Sequence, residues 1–364
     1  MDTTPIPPSN GNGGRVAAKL TVSLRADIAA GRLVGGQFLP TERQLAEDYG
    51  IARMTVRRAL KSLEAAGLVA AEPRHGYRVL ARGNDPGRGC PLAYVLEAAE
   101  QPDAWDDTHK TLLACFQVAA ANRGCSLLSL SSKGLSPDQL LEQLLAGRAW
   151  GAALDTVNSE LLSLARKNGF PAVMVDAWTA DAPIDSVLQD DYQGGFLAAS
   201  HLAGRGHRRI GWLGPVTSSA HSLGRYAGAM AGLARVGLAI PAKLRVAAQD
   251  ADASVRARSL LARRDRPTAV LALWSRMSQA VAGAARELGL VLGKNLDIVG
   301  WSIEELYESA FRPGFPGGRP PPAIVWSASA MAQTTVNRLA ERRANPNLPA
   351  MKLSVPVRLR LPDQ

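Results

Sequence analysis

Between Ala52 and Gly67 of this 364-residue chain, Val56, Ala59, Leu60 and Leu63 recur at i, i+3, i+4, i+7, the pattern of a helix with one buried face. Arg53, Arg57, Arg58 and Lys61 fall elsewhere on it. A helix carrying arginine at its start fits a major groove, where a guanidinium can donate in pairs to guanine edges or to phosphates. A few residues on, Pro73-Arg74-His75-Gly76 separates the short runs Leu68-Val69-Ala70 and Tyr77-Arg78-Val79-Leu80. That spacing predicts a hairpin with a basic tip, whose Arg74 and His75 can reach a phosphate or the minor groove. The chemistry open to these residues is recognition of a DNA duplex.

Such residues work only if other elements hold them in place. Leu45 and Ala46 mark a short helix opening at Pro40-Thr41, where Thr41 can cap and Glu42 suits the positive end, and Tyr49-Gly50 stops it. Val16, Leu20, Leu24 and Ile28 line one face of an earlier helix ended by Gly31. Helix, turn, helix and hairpin make a winged helix. The stretch LPTERQLAEDYGIARMTVRRALKSLEAAGLV followed by HGYRV resembles the GntR-type winged helix, over roughly Arg15 to Arg82. The resemblance implies DNA contacts from Arg43, Arg53, Thr55 and Arg57, with His75 and Gly76 at the wing tip. Two positions depart from it: Ala52 stands where Ser or Thr usually opens the recognition helix, losing a cap worth ~1 kcal/mol and a hydroxyl for phosphate. Met54 replaces a residue that is often small or polar. Both changes bear on which operator is read more than on whether DNA is bound. The competing reading is a winged helix used for protein contacts, with its arginines a solvated face.

The whole composition frames this head. A net charge of +10 favours an anionic partner, and a 46% hydrophobic share supports a sizeable further core. The three cysteines, Cys90, Cys115 and Cys125, lack metal-type spacing, and their odd number argues against a disulfide framework. Met1 to Gly14 has no apolar core of the kind a signal peptide needs, and no apolar run is long enough to span a bilayer. The organisation read from these features is a disordered arm (1–14), a winged-helix DNA-binding domain (15–82), a Gly- and Pro-bearing linker (83–90) and a large body (91–364), in a cytoplasmic protein.

In the body, short apolar runs alternate with helical patterns: LAYVL, SLLSL, WGAAL and AVMVD in a first series, RIGWLG, LRVAA, TAVLAL and DIVGW in a second. That alternation predicts parallel α/β sheets in two lobes. Arg312 to Pro322, rich in Pro and Gly, reads as a mobile surface loop, and AIVW, a helix and a closing strand LSVPVRLRL complete the sheets. IDSVLQDDYQGGFLAASHLAGRGHRRIGWLG, SLGRYAGAMAGL, RPTAVLAL and DIVGW resemble the effector domain of LacI/GalR repressors, related to periplasmic sugar-binding proteins, over roughly Pro91 to Gln364. The fold class is therefore α/β, an N-terminal winged helix-turn-helix followed by a two-lobed doubly wound periplasmic-binding-protein-like domain. The pairing resembles the arabinose-repressor arrangement.

The resemblance implies a ligand held between the lobes at the carboxyl ends of the strands. On it, Asp176 at the end of AVMVD is a sugar-hydroxyl acceptor, and Arg225 in GRYAG is the ligand-binding arginine. The competing readings are that Asp176 caps the next segment and Arg225 pairs with a neighbouring carboxylate. The family's Asn-Asp after TAVLAL is here Trp274-Ser275, and the Asp after VG-aromatic is Ser302, so two polar anchors are replaced. Trp105, Trp178, Trp274, Trp301 and Trp326 fall at or just past strand ends, which predicts an aromatic-lined cleft; Trp150 and Trp212 read as core. Indoles can equally fill such a cleft and hold the lobes together.

No Gly-x-Ser-x-Gly elbow, phosphate-cradling loop with Lys or His-Glu-x-x-His is present, and the five histidines lack metal-ligand spacing. The paired acids Asp190-Asp191 and Glu304-Glu305 read as helix caps. The expectation is a non-enzymatic regulator, a homodimeric repressor of an operator in double-stranded DNA, with a carbohydrate-type effector and neither cofactor nor metal nor membrane partner. A ligand-independent DNA-binding protein whose body is only a dimerisation scaffold is the alternative.

Overall fold

The chain divides into two units, Met1–Asp85 and Pro86–Gln364. The computed structural model describes residues 12–29, 33, 37–65, 68–72, 75–79, 90–97, 106–155, 158–179, 183–217, 219–312, 315 and 319–362. In the first unit, α1 (Asn12–Ala29) buries Ala17, Leu20, Leu24 and Ile28. It begins inside the stretch assigned to the arm, while residues 1–11, the stop at Gly31, the stop at Gly67, residues 80–82 and most of the linker (83–89) lie outside the described residues.

Helix α2 (Glu42–Asp48) starts where its cap dictates. The Gln44 amide donates to Thr41 Oγ1 at 3.2 Å, while Gln44 Oε1 accepts from the Thr41 amide at 2.9 Å, a reciprocal capping box. Gly50 at φ +60° ends the turn. Helix α3 (Arg53–Ala65) buries Val56, Ala59, Leu60 and Leu63 almost completely, each large side chain worth about 1.5–3 kcal/mol relative to exposure. Strands β1 (Val69–Glu72) and β2 (Gly76–Val79) pair antiparallel, and Gly76 sits at φ +97°, a conformation that L side chains resist. Residues 37–39 run beside β2 as an isolated antiparallel bridge, Phe38 opposite Arg78, that the sequence did not announce: the Leu39 amide donates to Tyr77 O and the Val79 amide to Gln37 O, both at 2.8 Å.

In the second unit the first lobe carries β3 (Leu92–Leu96), α4 (Asp107–Ala121), β4 (Leu127–Ser131), α5 (Pro137–Ala146), β5 (Ala152–Asp155), α6 (Ser159–Lys167), β6 (Ala172–Val175) and β7 (Asp185–Gln189). The second lobe carries α7 (Asp191–Gly204), β8 (Ile210–Leu213), α8 (Ala220–Ala234), β9 (Arg245–Val246), α9 (Ala253–Leu261), β10 (Ala269–Ala272), α10 (Ser275–Glu287), β11 (Asp297–Ile303), α11 (Tyr307–Phe311) and β12 (Ala323–Trp326). The chain then returns through α12 (Ala328–Ala344) and β13 (Lys352–Val355) to the first lobe and ends with β14 (Val357–Arg360) in the second. The sheet orders are β13-β7-β6-β5-β3-β4 and β14-β12-β11-β10-β8-β9, parallel throughout except β14. Most of these strands are buried end to end, as sheets covered on both faces require.

Two expectations change here. The closing run is two strands, because Pro356 lacks an amide hydrogen and the chain switches sheets there. The segment 312–322 is anchored where it is described. Phe315 and Pro321 are buried, Phe315 packs edge-on to Phe311, and Pro321 O accepts from the Tyr307 hydroxyl at 2.8 Å. In the first lobe the buried Asp185 accepts from Arg338 Nη2 at 2.9 Å, Arg342 Nε at 2.8 Å and the Met351 amide at 2.8 Å, tying α12 and β13 to β7.

Helices α7 and α8 meet backbone to backbone. A Cβ on Gly195 would lie 2.0 Å from Arg225 O, and one on Gly228 1.9 Å from Tyr192 O. Gly228→Ala is expected to lower stability by about 3 kcal/mol or more, because neither helix backbone can yield without losing the contact. Gly283, mid-helix in α10 with nothing within 4 Å of its Cβ position, provides the control. Gly283→Ala should raise stability by ~0.5–1 kcal/mol through helix propensity. Urea unfolding of both variants checks the pair.

Candidate functional site

In the first unit, Ala52 and Arg53 stand exposed at the start of α3, followed by Met54, 70% exposed, and the half-buried Thr55. Arg57 is also exposed, but its Nε and Nη2 donate to Glu42 at 3.1 and 2.8 Å, a bidentate pair that braces α3 against α2. Arg43 lies 3.5 Å from Glu47 on the surface of α2. At the wing, the exposed His75 ring packs against Phe38 with centroids 5.9 Å apart, and the Arg78 guanidinium lies over the same Phe38 ring, 5.2 Å from its centroid. Arg74 lies outside the described residues. The structure thus brings Arg53 and Thr55 together at the free start of α3, whereas Arg57 begins as a strut.

In the second unit a cleft of about 860 Å³ opens between the lobes at the carboxyl ends of the strands. Asp106 and His109 at the start of α4, with Asp176 and Gln189, form the first-lobe wall; His221, Arg225, Trp274, Trp301, Ser302 and Trp326 contribute to the second. Asp176, Arg225, Trp274, Trp301, Ser302 and Trp326 thereby border one cavity. Trp178 does not. Asp176 takes φ +48°, which turns the chain off the sheet, and Trp178 lies 38% exposed beneath the Lys352 ammonium, 4.1 Å from its ring centroid. Trp105 lies outside the described residues. Trp150 and Trp212 are core.

The polar groups of the cleft form one ring of bonds across the lobes. Arg225, 5% exposed, donates from Nε to Asp191 Oδ1 at 2.7 Å and from Nη1 to Leu273 O at 2.6 Å, and its guanidinium carbon lies over Trp301, 3.9 Å from the ring centroid. Trp301 Nε1 donates to Gln189 Oε1 at 2.6 Å, and Gln189 Nε2 donates to Asp176 Oδ1 at 3.0 Å. His221 closes the ring, with Nδ1 2.6 Å from Asp191 Oδ2 and Nε2 on the Asp176 carbonyl. Asp191 is therefore not a helix cap; Asp190 caps α7 through the Gln193 amide. Likewise Glu305 caps α12, accepting from Ser327 Oγ and from the Ala328 and Ser329 amides, instead of capping a helix of its own.

Burial alone would strip the His221 proton, but Asp176 and Asp191 raise it to about 9. Burial likewise opposes ionisation of Asp191, yet Arg225 and His221 hold its carboxyl below the usual range. Burial lifts Asp176 above that range. A second cluster faces the cleft from the first lobe. Asp155, accepting from the Tyr94 hydroxyl at 2.6 Å, is pushed by burial to about 6, and His109, 3.9 Å from it, bonds Asp106 at 2.9 Å. Sequence reasoning missed His221, Gln189, Asp155 and His109. His221 stands four residues before Arg225 on one helix face, and Asp155 ends its strand as Asp176 does, so the same logic reaches both. Among the described residues no three His, Cys, Asp or Glu side chains are grouped to hold a metal ion, and no helix is long and apolar enough to cross a membrane.

Residues 17–79 match the family of bacterial regulatory proteins of the gntR type, and residues 199–361 match the periplasmic binding protein-like domain. The HTH-type transcriptional repressor PurR of Klebsiella pneumoniae (strain 342) is 30% identical over 148 residues, 40% of this chain and 43% of that protein. The repressor of the same name from Photobacterium profundum is 25% identical over 193 residues, covering 51% and 58%. The chain thus spans about half the length of these curated relatives. Among solved structures, the transcriptional regulator CelR–cellobiose complex superposes at a TM-score of 0.64 with 17% identity, over 89% of this chain and 99% of that one. The lactose repressor bound to an anti-inducer does so at 0.60 with 21% identity, over 74% and 97%. These likenesses establish the two-lobed fold.

The charge pairs of His221 have a pH signature. Its folded value of about 9 exceeds the ordinary 6.5, so its stabilisation is fully present below pH 6.5 and is lost as pH rises to 9. That window corresponds to roughly 3 kcal/mol. His221→Gln should flatten the fall in urea stability between those two pH values; an unchanged slope would show that His221 is not the titrating group.

Proposed function

From a gntR-type winged helix joined to a periplasmic-binding-protein-like, LacI/GalR-type body, we propose that this protein is a DNA-binding transcriptional repressor whose operator affinity is set by a small molecule bound between two lobes. The observation that carries the reading is the cleft itself: one bonded ring joins Gln189 and Asp176 of one lobe to Trp301, Arg225 and His221 of the other, so an occupant entering it changes contacts between the lobes. A ligand that binds the two lobe arrangements unequally shifts their balance.

Arg53 and Thr55 at the open start of α3 read the major groove, Arg43 and Arg57 contact phosphates, and Arg74, His75 and Gly76 form the wing contact. Arg57 makes its contact by exchanging Glu42 for phosphate. The protein acts as a homodimer on a twofold site. The effector is a carbohydrate or a derivative of one. Hydroxyls suit Asp176 and Ser302, which line the same cleft as Trp274 and Trp326. The fold neighbours include complexes described with cellobiose and with ribose. A scaffold without ligand is the second reading, and the observation favouring it is that Arg225 and Asp176 already satisfy each other's network.

Selection of retained sequences from random duplexes at a stated salt concentration should yield a palindrome. Arg53→Ala should weaken binding to that site by ~1–3 kcal/mol and relax base preference where Arg53 sits. Retained affinity would remove α3 as the reading helix.

Titration of the protein with a panel of mono- and disaccharides, followed by indole emission, tests the cleft. A saturable shift in the wild type that Asp176→Asn abolishes while operator affinity stays intact supports the effector site. No shift across the panel favours the scaffold.

A further inference from the structure

The cleft opens at the carboxyl ends of the second-lobe strands, and the opposite end of that sheet is a different surface. There the turn leading into β8 carries Arg205, Arg208 and Arg209, and the turn leading into β10 carries Arg263, Arg264 and Arg266. Parallel pairing of β8 with β10 sets these turns side by side, and the Thr268 amide donates to Arg209 O at 2.8 Å. Lys243, before β9, and Lys294, before β11, flank them. Arg266 Nη1 reaches Asn295 O at 3.3 Å, and Lys243 lies 2.5 Å from Asp265.

The carboxylates of these turns are Asp265 and Asp297, and both are already occupied. Asp265 takes Lys243 and Arg263, whose hydrogen bonds hold it at about 2. Asp297 takes Arg205 at 2.7 Å and His207 at 2.8 Å. Arg209, Arg264 and Lys294 are exposed and make no ion pair among the described residues. The carbonyl ends of the helices account for part of the charge, since Arg208 donates to Ala203 O at the end of α7, but at 3.4 Å and from one arm only.

We propose that this pole of the second lobe is a second nucleic-acid contact, which holds the phosphate backbone of duplex DNA without reading its sequence. Guanidinium forks match phosphate oxygens in pairs and keep their charge at any working pH. The exposed cations Arg209, Arg264 and Lys294 sit on turns and not along a helix long enough to lie in a groove, so the contact is to backbone alone. It goes beyond the operator contact of the winged helix and needs neither that contact nor a ligand in the cleft.

The test uses the full chain and a labelled 30-base-pair duplex of random sequence. Arg209→Ala, Arg264→Ala and Lys294→Ala combined remove exposed, unpaired side chains, so the melting curve should stay unchanged. The plot of log affinity against log salt is expected to become shallower by ~0.9 for each phosphate contact removed, with about tenfold weaker binding at low salt. In an Arg53→Ala background, which weakens the head while leaving its phosphate contacts, the remaining duplex binding should fall by the same factor on the same three changes. Equal slope and affinity in wild type and triple variant would overturn the proposal, as would preferential binding of polyglutamate over duplex, which assigns the pole to an acidic protein. Loss of duplex binding on Arg53→Ala alone would equally overturn it, without touching the operator reading.

Discussion

The contact on which the body depends is the backbone-to-backbone meeting of α7 and α8. Glycine at 195 and 228 removes the atoms that would hold these helices apart, since a Cβ would fall 2.0 Å from Arg225 O at the first position and 1.9 Å from Tyr192 O at the second. Only at that separation does Asp191, in the first turn of α7, reach Arg225 and His221 on α8. A buried carboxylate costs several kcal/mol unless it is fully paired, and here two cations pair it. Close helix packing and the charge cluster are therefore one feature, because neither is stable without the other.

Position makes that cluster more than a local lock. Asp191 begins the helix that follows a passage between lobes at Asp190, so its partners lie in the second lobe while the residues just before it, Gln189 among them, belong to the first. From Gln189 the bonds run to Trp301 and Asp176, and His221 returns from the second lobe to the Asp176 carbonyl. Asp176 itself sits in the left-handed region, a strained conformation for a residue with a side chain, which the surrounding bonds maintain. On the proposed reading, an occupant of the cleft takes over bonds that these groups now make with one another, which is how binding there is coupled to the placement of the lobes.

The first unit works by a simpler division. Its hydrophobic stripe is fully consumed by α1, the wing and α2, and Arg57 is spent bracing α3 to Glu42. What remains at the outer end of α3 is Arg53 and an exposed Met54, a charged donor beside a soft apolar side chain. Ala52 has no side-chain oxygen to offer the first amides of that helix, and the Thr55 amide turns back to Ala52 O at 2.8 Å.

The elements were legible in the sequence because each is decided by near neighbours. Val56, Ala59, Leu60 and Leu63 specify a helix and its buried face, Thr41 and Gln44 specify where one begins, and Gly76 specifies a turn that other residues resist. The alternation of apolar runs with helices specified two parallel sheets, and the strand-end position of Asp176 and Trp301 specified that they border one cleft. Tertiary structure alone decided which polar groups meet. Arg225 finds Asp191 34 residues away and Trp301 finds Gln189 112 residues away, separations over which no local pattern carries information. It also decided that Trp178 leaves the cleft and that the loop around Phe315 is anchored, since a positive φ at Asp176 and a buried hydroxyl on Tyr307 act through space and not along the chain.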